Sequence, residues 1–494
     1  MPYAPPVDAP RCAVVDLGSN SVRLVVFEGR SRNPLTIFNE KAVLRLGRGL
    51  VDTGRLNAEG MQQALTVLHR YQAVAHAMGA APFEVLGTAA VRDAENGIAF
   101  VAALEQAMPG VSIRILTGEQ EARLSAEGVL CGIPEADGVL ADVGGGSLEL
   151  VRLRGGTVGE VCTLPLGVIR LAERVGGDLA AARSLVDAEL GGVPWLREAG
   201  EALYLVGGAW RAMARIHIAQ TAYPLAIVHH YAIDRDAARD LAGAVAGASR
   251  RALERLPGLS RRRIDDLPFA AVVMRRLVRV AAWRQVVFSA NGLREGWYMR
   301  QMPAALRGQD PVLAAGRDSA RRLGRDPTLP AALIEWIAPL FADEDAAALR
   351  LREAACWMSD IGSHDHPEYR AEQTFLRVLR QPGVALGHPE RAFLALTLAL
   401  RYEAEPEAPF LRPARLLLET GAARQAEIIG LALRLAYTLS AGTPDLLART
   451  ALRREERRLS LLLSGGGVFG GEAVMRRLDR LAQAVGLEPV IEAG

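Results

Sequence analysis

The chain has 494 residues, more than three times the length of a modal domain, so a peptide or a single binding module is excluded and two to four domains are expected. Half of the residues are hydrophobic and 23% are charged, which supplies enough apolar surface to offset the entropy of ordering and rules out global disorder. Arg and Lys total 58 against 56 Asp and Glu, a net +2 that excludes a histone-like or acidic-tail protein; Lys41 is the single lysine, so nearly every cation is a guanidinium fork of the kind that suits phosphate.

The opening MPYAPPVDAPR lacks a basic region followed by an apolar one, and no apolar run approaches the roughly 20 residues of a membrane span, so a soluble protein is expected. Periodicity then predicts strands at 11–16, 21–28 and 35–46, with a tight polar turn at 18–20 between the first two. Asn57 reads as the N-cap of a helix whose apolar face carries Met61, Leu65, Leu68 and Met78, ending near Gly79. A strand at 83–87, a helical region over 88–108, a break at Pro109 and Gly110, a strand at 111–116 and a helix opened by Thr117 complete the order βββαβαβα. Cys12, Cys131, Cys162 and Cys356 lie far apart and form no CxxC pair, so neither a zinc site nor a disulfide framework is expected, and a reducing cytoplasm fits best.

The same order restarts at Gly138. VVDLGSNSVRLV (14–25) and LADVGGGSLELV (140–151) align at an offset of 126 residues, with Asp16/Asp142, Gly18/Gly144, Ser21/Ser147, Leu24/Leu150 and Val25/Val151 coinciding. The polar matches fall in the turn, which marks a duplicated α/β domain with a cleft between the copies. The second copy continues through a strand at 202–206, the turn Gly207-Gly208, a helix, and a late strand over 286–292. From 303 to 494 the strand signals vanish and amphipathic helix dominates, so an all-helical domain is expected after a proline-rich linker zone over 301–330. The expected boundaries are 1–132, 133–302 and 303–494. In the last of these, Arg449, Arg453, Arg454, Arg457 and Arg458 read as one helical segment that could track a long polyanion, or as a solvated face paired locally with Glu455 and Glu456.

Each Asp-x-Gly turn lets successive backbone N–H groups and a serine hydroxyl point at an anion. Gly18, Ser19, Asn20 and Ser21 in the first turn, and Gly144, Gly145, Gly146 and Ser147 in the second, therefore form a candidate phosphate clamp; two ordinary β-hairpins are the plain alternative. Asp16 and Asp142 end the preceding strands, and because like charges repel, they suit Mg²⁺ or a bridging water rather than phosphate itself. Gly207 and Gly208 make a third strand-to-helix junction able to bind an anion at a helix N-terminus, or merely a close packing point. Arg92 could fork onto phosphate or form a surface ion pair. In LTGEQEARLSAEGV, Glu119 and Glu121 read most simply as helix-dipole compensation beside a Thr117–Gln120 capping box, with a general base as the alternative.

The ordered set VVDLGSNSVRLVVF, GTAAVRDAENG, TGEQEARLSAEGV, ADVGGGSLELV, LPLGVIRLAER, LVGGAWRAMA and ANGLREG resembles the exopolyphosphatase/guanosine pentaphosphate phosphohydrolase (Ppx/GppA) family over residues 11–300, within the actin-like ATPase and sugar kinase superfamily. The resemblance implies two actin-like, ribonuclease H-like α/β domains and hydrolytic release of terminal orthophosphate from inorganic polyphosphate, or of the 5'-γ-phosphate from pppGpp. It implies Mg²⁺ as cofactor with K⁺ as an activator, a homodimer, and no membrane or nucleic-acid partner. By position, Glu121 matches the catalytic Glu, and Asp142 and Glu149 match metal-associated acids; Gln120 stands where many members have a second Glu. A nucleotide-dependent kinase or ATPase would need an adenosine pocket that no motif marks, and a non-enzymatic polyphosphate or pppGpp sensor would bind without releasing phosphate. The C-terminal part resembles the HD-type phosphohydrolase-like domain of longer members, but Ser359 precedes Asp360 where a metal site needs His, leaving an incomplete ligand set near His364 and His366.

Overall fold

The computed structural model describes residues 10–256, 259, 263–382, 384–464 and 471–493. The chain divides into two compact units, residues 1–308 and 309–494.

In the first unit, Arg11–Leu17 (β1) pairs antiparallel with Ser21–Glu28 (β2), which pairs antiparallel with Leu35–Val43 (β3). Ala80–Gly87 (β4) joins the other side of β1 in parallel and Ser112–Ile115 (β5) joins β4, giving the order β3-β2-β1-β4-β5. A second sheet holds Gly138–Val143 (β6), Leu148–Arg154 (β7), Thr157–Leu164 (β8), Ala202–Val206 (β9), Tyr231–Asp234 (β10) and Gln285–Phe288 (β11) in the order β10-β11-β9-β6-β7-β8. Its β8-β7-β6-β9-β11 portion repeats the first sheet in both order and direction. The duplication read from the turns is thus a duplication of topology, two mixed α/β sheets.

Some boundaries moved for local reasons. The third strand stops at Val43 because the N–H groups of Leu44 and Arg45 both turn to the Asn20 carbonyl, at 3.1 and 3.0 Å. The region over 88–108 is two helices, Ala89–Asp93 and Gly97–Ala107, broken where Ala94 is extended. The late strand ends at Phe288, and the rest of that segment is a loop.

Central strands are buried on both faces, so their apolar residues form a run that divides by parity. Ala13, Val15 and Leu17 pack with Leu68, Tyr71 and Leu104 from the helices Ala58–Ala77 and Gly97–Ala107. Cys12 and Val14 face the other way, onto Leu116, Leu124, Cys131 and Trp297. In the second sheet Val139, Ala141 and Val143 pack with Trp210 and Met213, whereas Leu140, Val151 and Leu153 pack with Ala122, Ala126 and Val129. The helix Gly118–Gly132 therefore gives Leu124 and Cys131 to one sheet's core and Ala122, Ala126 and Val129 to the other's. Full burial of a side chain such as Leu124 contributes about 1.5–3 kcal/mol, which locks this helix between the sheets. The helix Leu293–Gln301 packs on it so closely that a Cβ at Gly128 would collide with the carbonyl of its N-cap Gly292, and one at Gly296 with the Leu124 carbonyl.

The second unit contains the helices Pro311–Leu323, Leu329–Ile337, Ala346–Met358, Arg370–Leu379, His388–Arg401, Thr420–Ser440 and Glu472–Val485. The expectation of an all-helical domain is corrected here: Thr450–Arg454 (β12), Arg458–Leu463 (β13) and Glu488–Ala493 (β14) form a three-stranded sheet. The arginine-rich segment read as helical is the β12–β13 hairpin. Its period is two: Thr450 and Leu452 are buried between exposed Ala451 and Arg453, and Leu459, Leu461 and Leu463 point inward, so the arginines project from strand edges and the turn. Among the described residues, no helix is long and apolar enough to cross a membrane.

Candidate functional site

Both Asp-x-Gly turns close in the same way. The Gly18 N–H donates to the Ser21 carbonyl at 3.2 Å, and the Gly144 N–H donates to the Ser147 carbonyl at 3.0 Å. The carbonyls of each turn are then used by the surrounding chain. Gly47 donates to the Ser19 carbonyl at 2.8 Å, while Val168 donates to Gly144 at 3.0 Å and Ile169 and Arg170 to Gly145 at 3.0 and 3.1 Å. With the carbonyls engaged, the N–H groups are left over. Among the described residues, those of Ser19, Asn20, Gly145, Gly146 and Ser147 donate to no other group. Successive unused amides at a turn make a concavity that favours an anion.

The two turns face each other. A Cβ at Gly145 would stand 3.0 Å from Ser19 Cβ, and one at Gly146 would stand 2.9 Å from both Ser19 Oγ and Ala89 Cβ. Glycine is needed there for approach rather than for φ. Gly207 differs, with φ 116 and a Cβ position 2.5 Å from the Val143 carbonyl, so it is the junction where only glycine fits. The space beside Gly208, at the N-terminus of the helix Gly208–Gln220, is filled by the Arg263 guanidinium, a cation where the helix dipole favours an anion.

Glu121 sits in the first turn of the helix Gly118–Gly132. The capping box read from sequence is present, with Thr117 accepting from the Gln120 N–H at 3.2 Å and Gln120 Oε1 accepting from the Thr117 N–H at 3.0 Å. This fixes the turn so that Glu121 points inward, its side chain 13% exposed. Arg92 Nη1 donates to Glu121 Oε2 at 2.9 Å and to the Leu116 carbonyl at 3.1 Å, and Arg92 Nε donates to Asp93 at 3.1 Å. Arg92 is therefore ion-paired and holds the carboxylate in place.

Burial pushes Glu121 up to about 7; Arg92 opposes the shift and the charges of Asp142 and Asp16 add to it. Asp142 lies opposite Glu149 across β6 and β7 and accepts a hydrogen bond from Ser125. Burial raises Asp142 despite that bond, and it raises Asp16 as well. Glu149 is held well above the ordinary range by burial and then by Glu121 and Asp142. It is 2% exposed and its Oε1 has no hydrogen-bond partner. A buried carboxylate oxygen in that state calls for a proton or a cation. The predicted acids thus come together electrostatically, although among the described residues no three His, Cys, Asp or Glu side chains already form a cage for a metal ion.

A basic side of the cleft escaped the sequence analysis. Asp16 lies opposite Arg23 across β1 and β2, and Arg294, Arg23 and Lys41 all act on its charge. Arg211 donates to the Ala290 carbonyl at 2.9 Å and is pushed down to about 10 by burial and by Arg294 and Arg23. Lys41 is pushed down to about 8 by desolvation and by Arg263, Arg23 and Arg211. The available signals were weak: Arg23 stands where the repeat has Glu149, and Lys41 is the lone lysine.

Residues 25–305 match the Ppx/GppA phosphatase family, and residues 313–490 match the family described as exopolyphosphatase, C-terminal. Exopolyphosphatase 2 of Mycobacterium tuberculosis is 28% identical over 290 residues, covering 54% of this chain and 90% of that protein. Exopolyphosphatase 1 of Mycobacterium bovis is 27% identical over 331 residues, covering 64% and 96%. Among solved structures, an exopolyphosphatase from Cytophaga hutchinsonii aligns with a TM-score of 0.54 at 21% identity over 58% of this chain and 96% of that one. The Ppx/GppA family member of Aquifex aeolicus aligns with a TM-score of 0.53 at 22% identity over 60% and 98%. These two likenesses establish the fold of the duplicated sheets.

Proposed function

This chain belongs to the Ppx/GppA phosphatase family, a family of phosphohydrolases, and we infer that its own reaction is release of terminal orthophosphate from inorganic polyphosphate by Mg²⁺-assisted attack of water. The observation that carries the reading is the meeting of two turns with unused amides, whose flanking Asp16 and Asp142 lie within the electrostatic reach of the inward-pointing, Arg92-paired Glu121. The N–H groups of Ser19, Asn20, Gly145, Gly146 and Ser147 bind and orient the terminal phosphate from two sides, with no reorganisation required as charge develops. Glu121, oriented by Arg92, accepts the proton of the attacking water; a carboxylate raised to about 7 is matched to that task near neutral pH. Departing negative charge meets Arg23, Arg211 and Arg294 on the basic side.

Mg²⁺ fits the acids present, because Glu149 Oε1 is an orphaned hard oxygen beside Asp142 and this ion favours one or two carboxylates completed by water and phosphate oxygens. Asp142 and Glu149 would hold it, with Asp16 across the cleft. Bound there, it would neutralise charge on the phosphate being transferred.

A second reading, removal of the 5'-γ-phosphate of pppGpp, is favoured by the cluster of Arg23, Lys41, Arg211, Arg263 and Arg294, which suits a compact, highly charged nucleotide. Phosphate release from long polyphosphate, pppGpp and ATP, measured in parallel with Mg²⁺, separates the readings. Polyphosphate as the fastest substrate is expected. Faster release from pppGpp favours the second, and binding without release from any substrate means a sensor.

A further inference from the structure

In the second unit, the guanidinium groups of Arg325, Arg370 and Arg401 gather around two tyrosine rings, and Arg434 and Arg477 add to the same positive field, with the carboxylates of Asp360 and Glu403 among them. Arg401, the last residue of the helix His388–Arg401, is 5% exposed and sandwiched between Tyr402 and Tyr437, its Cζ 3.9 and 3.6 Å from the ring centroids. Its closest carboxylate approach is Nη2 to Asp360 Oδ1 at 3.8 Å, and its buried Nε has no hydrogen-bond partner. Asp360 has little left to offer. Its Oδ2 accepts from the Arg325 backbone N–H and Nε at 2.9 and 3.0 Å, and its Oδ1 accepts from Arg325 Nη2 at 2.8 Å and from the Ser363 hydroxyl.

Arg370 opens the helix Arg370–Leu379 and is half-buried, with its Cζ 5.4 Å from the same Tyr402 ring. Its Nε is also buried without a partner, and among the described residues no carboxylate lies within ion-pair distance of it. On the same helix the Thr374 hydroxyl is fully buried and unpartnered. Arg434 and Arg477 both converge on Glu403, so that acid is spent as well. Burial and the crowding of Arg477, Arg401 and Arg370 push Arg434 down to about 9. Asp360 and Glu403 thus leave an excess of positive charge, concentrated at Arg370, which has no acid within ion-pair distance among the described residues, and at Arg401, whose one acid, Asp360 at 3.8 Å, is already held by Arg325.

Unused guanidinium donors in a buried setting are strongly unfavourable unless an anion completes them, and planar forks match the oxygens of a tetrahedral oxyanion. We propose that Arg370 and Arg401, beside Tyr402, form a phosphate-binding site of the second unit. The half-exposed Arg370 is the entry and the buried Arg401 the floor. The phosphate group is either free orthophosphate or one unit of a phosphoanhydride chain, both within the chemistry of a phosphohydrolase. The site is built from residues of the second unit alone and is independent of which substrate the first unit prefers.

The full-length chain would be studied by hydrogen–deuterium exchange with orthophosphate and, in the Glu121→Gln background that blocks turnover, with tripolyphosphate; equilibrium dialysis would count the bound ligands. Protection of peptides covering 359–375 and 398–404 is expected. In Arg370→Gln that protection should vanish and the stoichiometry should fall by one, while Arg370→Lys, the charge-retaining control for folding, should keep it at about 10-fold weaker affinity. Protection by orthophosphate marks a product site, and protection by tripolyphosphate alone marks a site for the chain. Protection confined to the two Asp-x-Gly turns, or undiminished in Arg370→Gln, overturns the proposal.

Discussion

The two Asp-x-Gly turns of the first unit share a backbone and differ in what faces the aspartate. Asp16 stands opposite Arg23 and Asp142 opposite Glu149, in the same register of two topologically equivalent hairpins. One copy therefore borders a basic cluster, and the other an acid with an orphaned oxygen. A duplicated chain keeps what backbone hydrogen bonding demands, the turn and its amides, and diverges where side-chain charge alone decides. For the reaction proposed above, paired amide turns with asymmetric electrostatics would hold an anion with its reacting end and its leaving end in opposite surroundings.

The largest effect is expected where the clamp meets the base. Glu121→Gln should lower kcat by at least about 10²-fold with polyphosphate affinity nearly kept, since the amides that bind are untouched and the proton acceptor is gone. Near-normal turnover in that variant sinks the assignment.

Exchanging the faces of the two hairpins sharpens the contrast. Glu149→Gln, and likewise Asp142→Asn, should raise the Mg²⁺ concentration needed for half-maximal rate by about 10-fold, because a hard anionic oxygen is lost. Arg23→Gln should instead raise KM for polyphosphate by about 10-fold, through loss of a charge-assisted contact, and leave the Mg²⁺ titration unchanged. If Arg23→Gln moves the same parameter as Glu149→Gln and Asp142→Asn, the two sides of the cleft are not functionally distinct.

A smaller, steric comparison lies within the second turn. Gly146→Ala places a methyl 2.9 Å from Ser19 Oγ and Ala89 Cβ and should wedge the turns apart, raising KM several-fold, roughly 1 kcal/mol of lost binding. Gly144→Ala meets its nearest atom at 3.5 Å and should be close to silent. Equal effects in steady-state kinetics would mean that closeness of the turns does not matter.

The smallest effect is on stability. Glu121 is raised to about 7 in the folded chain, above its ordinary 4.5, so the folded state holds the proton more tightly than the unfolded state. Its contribution is fully present below about 4.5 and is lost as pH rises through about 7. Glu121→Gln removes that loss. The variant's Tm relative to the parent should be about 1–3 °C more favourable at pH 8 than at pH 5 by calorimetry. A pH-independent difference would show that Glu121 is not a strained acid. The same shift predicts that the acid limb of the activity profile lies near pH 7 rather than near 4.5.

Much of this site was legible before any coordinates. The repeat of Asp, Gly and Ser at a fixed offset exposed both turns, and turn chemistry is local enough to be written in a dozen residues. Thr117 and Gln120 announced their capping box for the same reason. Taken alone, Glu121 reads as dipole compensation beside its capping box; its burial is decided elsewhere, by a helix clasped between two sheets that arise more than a hundred residues apart in the chain. The β12–β13 hairpin was read as helix because its arginines masked the two-residue alternation of Thr450, Leu452, Leu459 and Leu461.

Sequence alone determined the chain order of strands and helices up to the second turn and the duplicated turns with Asp16 and Asp142, because these are set by periodicity and by residues adjacent along the chain, whereas Glu121 and Glu149 were singled out by resemblance to the family. Tertiary structure alone decided which acids lose water, which arginines gather without partners, and that the two turns meet at Ser19 and Gly146. Desolvation and Coulomb interactions depend on distance through space, and residues 23, 41, 211, 263 and 294 share no local pattern that would bring them together before the chain is folded.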